Sequence, residues 1–258
     1  MRLPLYQIDA FADRAFAGNP AAVVLLDDWL PDAVMQAVAG ENNLAETAFL
    51  VREPAGWRVR WFTPACEVDL CGHATLASAF VLFERDPGLS RISFQSRSGA
   101  LAVDRQGDLL VLDFPSRPPV PVAPPAGLAE ALGATVRETW KARDLVAILD
   151  DEATVRGLKP DLAALAPMDD FAVVATAAGQ EADFVSRFFG PRVGVPEDPV
   201  TGSAHSTLVP LWAGRLGRPK LRALQVSPRG GELFCELKGD RVAIGGRAVK
   251  VIEGTLFL

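Results

Sequence analysis

The chain has 258 residues, with 26 Lys and Arg against 32 Asp and Glu, a formal charge of −6 at neutral pH. Apolar residues make up 49% and charged residues 22%, a globular composition that excludes a disordered chain. Such a length buries one large core or two smaller ones, and the acidic balance, with a pI near 5.1, argues against a nucleic-acid partner.

The amino terminus, MRLPLYQIDAFADRAF, lacks an apolar core followed by a small-residue cleavage site, so no secretory signal is read there. The longest apolar run, Ala74 to Phe83, is too short to span a bilayer, and no membrane association is expected. Three cysteines (Cys66, Cys71, Cys235) are too few for a disulfide framework and fit a reducing cytoplasm.

In chain order, AAVVLL (21–26), TAFLV (47–51) and VRWF (59–62) read as strands bounded by polar, Gly or Pro residues. Between the first two, PDAVMQAVAG (31–40) has helical spacing, with Val34, Ala37 and Val38 on one stripe. A stronger helix follows Gly72, with Leu76, Phe80 and Phe83 on one face. LAVDRQGDLLVLDF (101–114) reads as a hairpin turning at Gln106-Gly107-Asp108. PSRPPVPVAPPAG (115–127) is proline-rich, extended and stiff, and reads as a linker. LFCELKGDRVAIGG (233–246) repeats the hairpin pattern, turning at Lys238-Gly239-Asp240.

A weak internal repeat organises these elements. Val23–Asp28 resembles Val146–Asp151 at an offset of 123, and Phe62-Thr63-Pro64 resembles Phe189-Gly190-Pro191 at 127. Gly72-His73-Ala74 resembles Gly202-Ser203-Ala204 at 130, and Arg97–Leu101 resembles Arg229–Leu233 at 132. Gly107-Asp108 resembles Gly239-Asp240, again at 132. Matches in constant order with slowly growing offsets describe a duplicated unit with small insertions. The expected fold is α+β: two pseudo-symmetric halves, each a strand-rich layer around a central helix, facing each other across a ligand cleft. The first half covers 1–115 and is completed by the last strand, about 248–258; the second covers 116–247.

The repeat places a glycine-centred strand-to-helix turn in each half, CGHATLA (71–77) and DPVTGSAHSTL (198–208). A helix start leaves backbone N–H groups unpaired and carries a partial positive charge, which suits a carboxylate or phosphate. The bland alternative is that the glycines only permit tight turns and Ser203 only caps its helix. Both histidines, His73 and His205, fall in or just beyond these turns. Glu46 stands at the mouth of a strand beside Asn42 and Asn43, where a surface role is equally open. The Cys and His residues show no zinc spacing, and no strand-borne dinucleotide fingerprint is present, so no metal or organic cofactor is expected.

The segments DAFADRAFAGNPAAVVLL (9–26), NLAETAFLV (43–51), FTPACEVDLCGHATLA (62–77), LDFPSRPP (112–119) and EDPVTGSAHSTLVPLWAGRLG (197–217) together resemble the PhzF family. That family is named for an isomerase of phenazine biosynthesis and is built on the diaminopimelate epimerase fold. The resemblance implies barrel-like half-sheets around central helices, a homodimer, and an active site between the halves. It implies Glu46 as catalytic base and acid, with His73, Asp198 and Ser203 around the reacting carbons. It assigns the substrate carboxylate to Gly72, His73, Gly202 and Ser203, and a pocket position to Asn19. The parent epimerases use two opposed cysteines; here Cys71 matches the first position and Asp198 the second, so a two-thiol mechanism is not available.

The leading expectation is a cofactor-independent isomerase moving a proton, and with it a double bond in some substrates, on a small carboxylated, amino-acid-like or dihydroaromatic substrate. Such a base is expected to have a pKa raised by a desolvated cleft. Two alternatives are a hydrolase using Ser203 with His73 or His205 and Asp198, which lacks a Gly-x-Ser-x-Gly elbow, and a non-enzymatic ligand- or partner-binding member of the fold.

Overall fold

The computed structural model describes residues 1–54 and 56–258. The chain forms two compact units, one of Met1–Asp113 with Gly245–Leu258 and one of Phe114–Ile244. In chain order the first stretch holds β1 (Arg2–Ala10), β2 (Asn19–Leu26), α1 (Asp32–Asn42), β3 (Glu46–Glu53), β4 (Gly56–Phe62), β5 (Glu67–Val68), α2 (Gly72–Arg85), β6 (Arg91–Ser96), β7 (Gly99–Gln106) and β8 (Leu109–Pro115). The second holds β9 (Val120–Val122), α3 (Leu128–Leu132), β10 (Glu138–Lys141), β11 (Leu145–Ile148), α4 (Glu152–Gly157), α5 (Leu162–Leu165), β12 (Val173–Ala178), β13 (Phe184–Gly190), β14 (Val195–Asp198), α6 (Gly202–Leu216), β15 (Lys220–Gln225), β16 (Gly231–Lys238) and β17 (Arg241–Gly246). The last strand, β18 (Ala248–Phe257), returns to the first unit and pairs antiparallel with β1.

Strand pairing reproduces the repeat. In the first unit β1 pairs antiparallel with β2, β2 parallel with β3, and β3 antiparallel with β4; β4 takes β5 antiparallel and β6 parallel, and β6 pairs antiparallel with β7. In the second unit β10, β11, β12, β13, β14, β15 and β16 follow the same sequence of pairings with the same polarities. Each parallel pair is bridged by a helical crossover, as parallel pairing requires. The helix after Gly72 and the helix after Gly202 are therefore topological equivalents.

The apolar runs are continuous because these strands are buried on both faces. Val24 and Leu26 of β2 and Phe49 and Val51 of β3 pack with Met35, Val38 and Ala39 of α1. Side chains alternate along a strand, so Asn19, Ala21 and Val23, and Glu46, Ala48 and Leu50, take the opposite face. That face meets α2, which packs against β1, β2 and β3 and is buried from His73 through Ala79. A helix enclosed in this way reads as apolar nearly all round.

Two sequence expectations change. The buried stripe of α1 is Met35, Val38 and Ala39, not Val34, Ala37 and Val38: Ala37 is exposed. Burying Met35 removes far more apolar surface than burying Ala37, so the helix turns to that phase. The proline-rich segment is not only a linker, because its Val120–Val122 forms β9 and pairs antiparallel with β10. Pro121 sits there on a short three-residue strand, the kind of position where a missing N–H is tolerated. Among the described residues no helix is long and apolar enough to cross a membrane.

Gly18 shapes the entry to β2. Its φ is +64°, and a Cβ there would collide with the Ala10 carbonyl and come within 2.9 Å of Ala12 Cβ. Gly107, in the β7–β8 turn, has φ +65° with nothing within 4 Å of such a Cβ. Gly107→Ala is expected to cost about 1 kcal/mol, the left-handed penalty alone. Gly18→Ala adds a backbone clash and is expected to cost about 3 kcal/mol. Urea unfolding of the two variants checks this; equal losses would contradict it.

Candidate functional site

The register that packs β2 and β3 against α1 also aims Asn19 and Glu46 at the start of α2. Glu46 is the first residue of β3 and lies opposite Ala21 in the parallel pairing. Asn42, ending α1, donates to Thr47 Oγ1 at 3.1 Å on the other face of the strand, which fixes the local phase. On the α2 side, Glu46 Oε2 lies 3.0 Å from His73 Nε2. The other imidazole nitrogen, Nδ1, lies 3.2 Å from Asn19 Nδ2 and 3.5 Å from Cys71 Sγ. Cys71 is the extended residue before α2, and Gly72 and His73 are the first residues of that helix. Asn19, Glu46, Cys71, Gly72 and His73 thus form one cluster within the first unit.

The electrostatics differ from expectation. Burial alone would raise the Glu46 carboxyl, but the imidazolium of His73 beside it outweighs burial and holds it below the usual carboxylate value. The expected upward shift of the base is therefore reversed, because desolvation acts on an ion pair and not on an isolated acid. Burial likewise disfavours the His73 cation, yet Cys71 Sγ and the Glu46 carboxylate hold His73 well above its ordinary value. Burial, together with the Glu46 charge, pushes the Cys71 thiol up to about 11. The three groups are coupled, Glu46 being shifted toward its charged form, His73 toward its cation and Cys71 toward its neutral thiol.

Glu46, Cys71 and His73 also present three ligand atoms within 4.8 Å of one another. Sequence spacing gave no sign of such a trio, because Glu46 comes from a distant strand. A metal there would have to displace protons from both the thiol and the imidazolium.

In the second unit the turn into α6 is braced from β15 and beyond. Gln225, buried at the end of β15, accepts from Thr201 N at 2.8 Å and donates to the Asp198 carbonyl at 2.7 Å. Thr201 Oγ1 donates to Asp198 Oδ2 at 2.5 Å, and Ser227 Oγ donates to the Pro199 carbonyl at 2.9 Å. Ser203, the second residue of α6, does not cap the helix; Thr201 holds the N-cap position. Its hydroxyl instead accepts from Arg143 Nη2 at 3.1 Å. Asp198 and Ser203 therefore stand at the two ends of one braced turn, with Gly202 between them.

His205 is committed to the core. It is fully buried, its Nδ1 lies 2.9 Å from the Thr201 carbonyl, and its ring lies 5.8 Å from that of Phe184. Burial drops its pKa to about 4, so it is neutral. Its Nδ1–H donates to the carbonyl four residues back, and its Nε2 is buried with no hydrogen-bond partner among the described residues, so no hydrogen bond links it to Ser203 as a hydrolase would require. Gln225 and Arg143 were missed in the sequence. Gln225 has no local signature, whereas the repeat does carry Asn19 to within one residue of Arg143.

The chain matches the profile of the phenazine biosynthesis-like protein family, PhzC-PhzF, over residues 8–254. A Pseudomonas aeruginosa protein named as an uncharacterized isomerase is 53% identical over 261 residues, covering all of both chains. The crystal structure of a PhzF family protein from Enterococcus faecalis superposes with a TM-score of 0.98 at 49% identity, again over all of both chains. A hydroxyproline epimerase from Agrobacterium vitis, with trans-4-hydroxy-L-proline bound, shares the fold at 11% identity and a TM-score of 0.62, over 99% of this chain and 92% of that one. With the two-unit α+β architecture and the conserved length of match, the chain belongs to the PhzC-PhzF family of phenazine biosynthesis-like proteins.

Proposed function

We propose that the chain is an isomerase that takes a proton from one carbon of a small carboxylated substrate and returns it to another carbon, the double bond moving in step, with Glu46 as the carrier and no metal or organic cofactor. The observation that carries this reading is the buried Glu46–His73 pair at the first turn of α2. The isomerase name of the P. aeruginosa relative supports the reaction class, and the bound amino acid of the hydroxyproline epimerase supports a small carboxylate as substrate.

The charge balance follows from the pair. Glu46 rests as a carboxylate and is ready to accept a proton. When the substrate C–H bond breaks, the proton goes to Glu46 and the electron pair stays on the substrate, delocalised toward its carboxylate. Glu46 is then neutral, and the His73 cation faces the new anion without reorganising. Because His73 holds the Glu46 pKa low, the protonated acid is a strong one and readily gives its proton back. Backbone N–H groups in the first turn of α2, on the helix that carries His73, supply further donors to the same negative charge. The serine-hydrolase reading has no second observation in its favour.

The test uses a panel of small carboxylic acids in heavy water, including trans-4-hydroxy-L-proline and dihydroaromatic acids. Wild-type protein is expected to wash deuterium into the labile carbon of its substrate. Glu46→Gln should lower turnover by about a hundred to ten thousandfold while preserving ligand-induced thermal stabilisation. Full activity in that variant sinks the mechanism, and loss of stabilisation assigns Glu46 to binding. A protein stabilised by acids that never exchange would be a binding member of the fold.

Cys71 supplies a second discrimination. A thiol held near 11 is no base at neutral pH, so Cys71→Ala should retain most of the turnover and lose about 1–3 kcal/mol of stability. A thousandfold loss of rate in a folded variant would make Cys71 a proton carrier instead.

A further inference from the structure

In the first unit, the residue that opens β2 lays a polar side chain on the second residue of the central helix: Asn19 on His73. The second unit repeats the arrangement with a different side chain. Arg143, two residues before β11, lies on Ser203, the second residue of α6. The repeat pairs His73 with Ser203 at an offset of 130 and the β2 and β11 runs at 123, which brings Asn19 opposite Ala142, one residue before Arg143. The two contacts come from neighbouring positions of the repeat, a neutral amide in the first unit and a cation in the second.

The guanidinium is held in one pose. Its Nε and Nη2 donate to Asp144 Oδ1 and Oδ2 at 2.9 and 3.0 Å, and Asp144 is itself buried. Its plane lies over the Phe171 ring, 4.3 Å from the centroid. Nη2 also donates to Ser203 Oγ, and Nη1 has no partner among the described residues. A hydroxyl that accepts from a fixed cation is left with its own proton to donate, and the cation strengthens that donor.

We propose that Arg143 is the positioning residue of Ser203, turning its hydroxyl into a donor for a carboxylate. The role deepens the isomerase reading by assigning the second unit the task of holding negative charge. Asp144 is the device that keeps Arg143 aimed, and Phe171 covers one face of the guanidinium from water.

The test needs no substrate and no turnover, so its failure is separate from failure of the isomerase reading. In a Cys66→Ser background, Ser203→Cys places a thiol where the hydroxyl was, and alkylation at position 203 is followed by peptide mass spectrometry. Cys71 and Cys235 are buried and remain as they are. Two reagents of one shape are compared, anionic iodoacetate and neutral iodoacetamide; their rate ratio cancels the thiolate fraction and reports charge at the site. Adding Arg143→Gln is expected to lower the iodoacetate-to-iodoacetamide ratio by about tenfold, and to raise the thiol's titration midpoint by about one unit or more. Arg143→Lys should restore most of the ratio. Because Arg143→Gln leaves the buried Asp144 unpaired, the neutral pair Arg143→Gln with Asp144→Asn is read alongside it and should show the same loss. A ratio that survives both neutral variants, or that Arg143→Lys fails to restore, overturns the proposal.

Discussion

The structure of the candidate site depends on one buried ion pair. Glu46 enters from the first residue of a strand and His73 from the first turn of the central helix, and the two meet at 3.0 Å where little water reaches. A lone carboxylate there would take up a proton, and a lone imidazole would lose one. Together they stay charged. Breaking either partner would leave the other as an uncompensated buried charge, which is far costlier than the pair itself. The sign of the coupling sets its pH window. Glu46, lowered in the fold, stabilises above its unfolded pKa and loses that contribution as pH falls through its folded value; His73, raised, loses its contribution as pH rises through its own.

Everything around the pair keeps it in place. Parallel pairing of β2 and β3 sets Asn19 and Glu46 on one face, and packing against α1 on the other face prevents a slip that would turn them away. The same plan is used twice, but at the central helix start the second unit pairs Ser203 with Arg143 and the first pairs His73 with Asn19. At the equivalent helix starts one unit thus presents an ion pair and the other a hydroxyl held by a cation.

The architecture was legible in the sequence because it rests on local signals. Continuous apolar runs marked the doubly buried strands, the glycines at 72 and 202 marked the helix starts, and the ordered matches revealed the duplication. The α1 stripe was misplaced by one step because periodicity alone does not weigh Met35 against Ala37. The strand at Val120–Val122 was hidden by prolines that usually end pairing. In the site, the family motifs named Glu46 and His73 but not their mutual pairing, which depends on which face of β3 turns inward. That pairing reversed the expected pKa of Glu46. Gln225 and Arg143 act through tertiary contacts across 24 and 60 residues of sequence, beyond the reach of any short motif.

The pair can be read directly by nitrogen and carbon NMR of the imidazoles across pH, because the chain contains only two histidines. His205 serves as the internal reference, remaining neutral until about pH 4. The account predicts that His73 stays cationic well above the ordinary histidine range, and that Glu46→Gln brings its midpoint sharply down. A wild-type His73 that titrates at or below the ordinary value, unmoved by Glu46→Gln, would contradict the account.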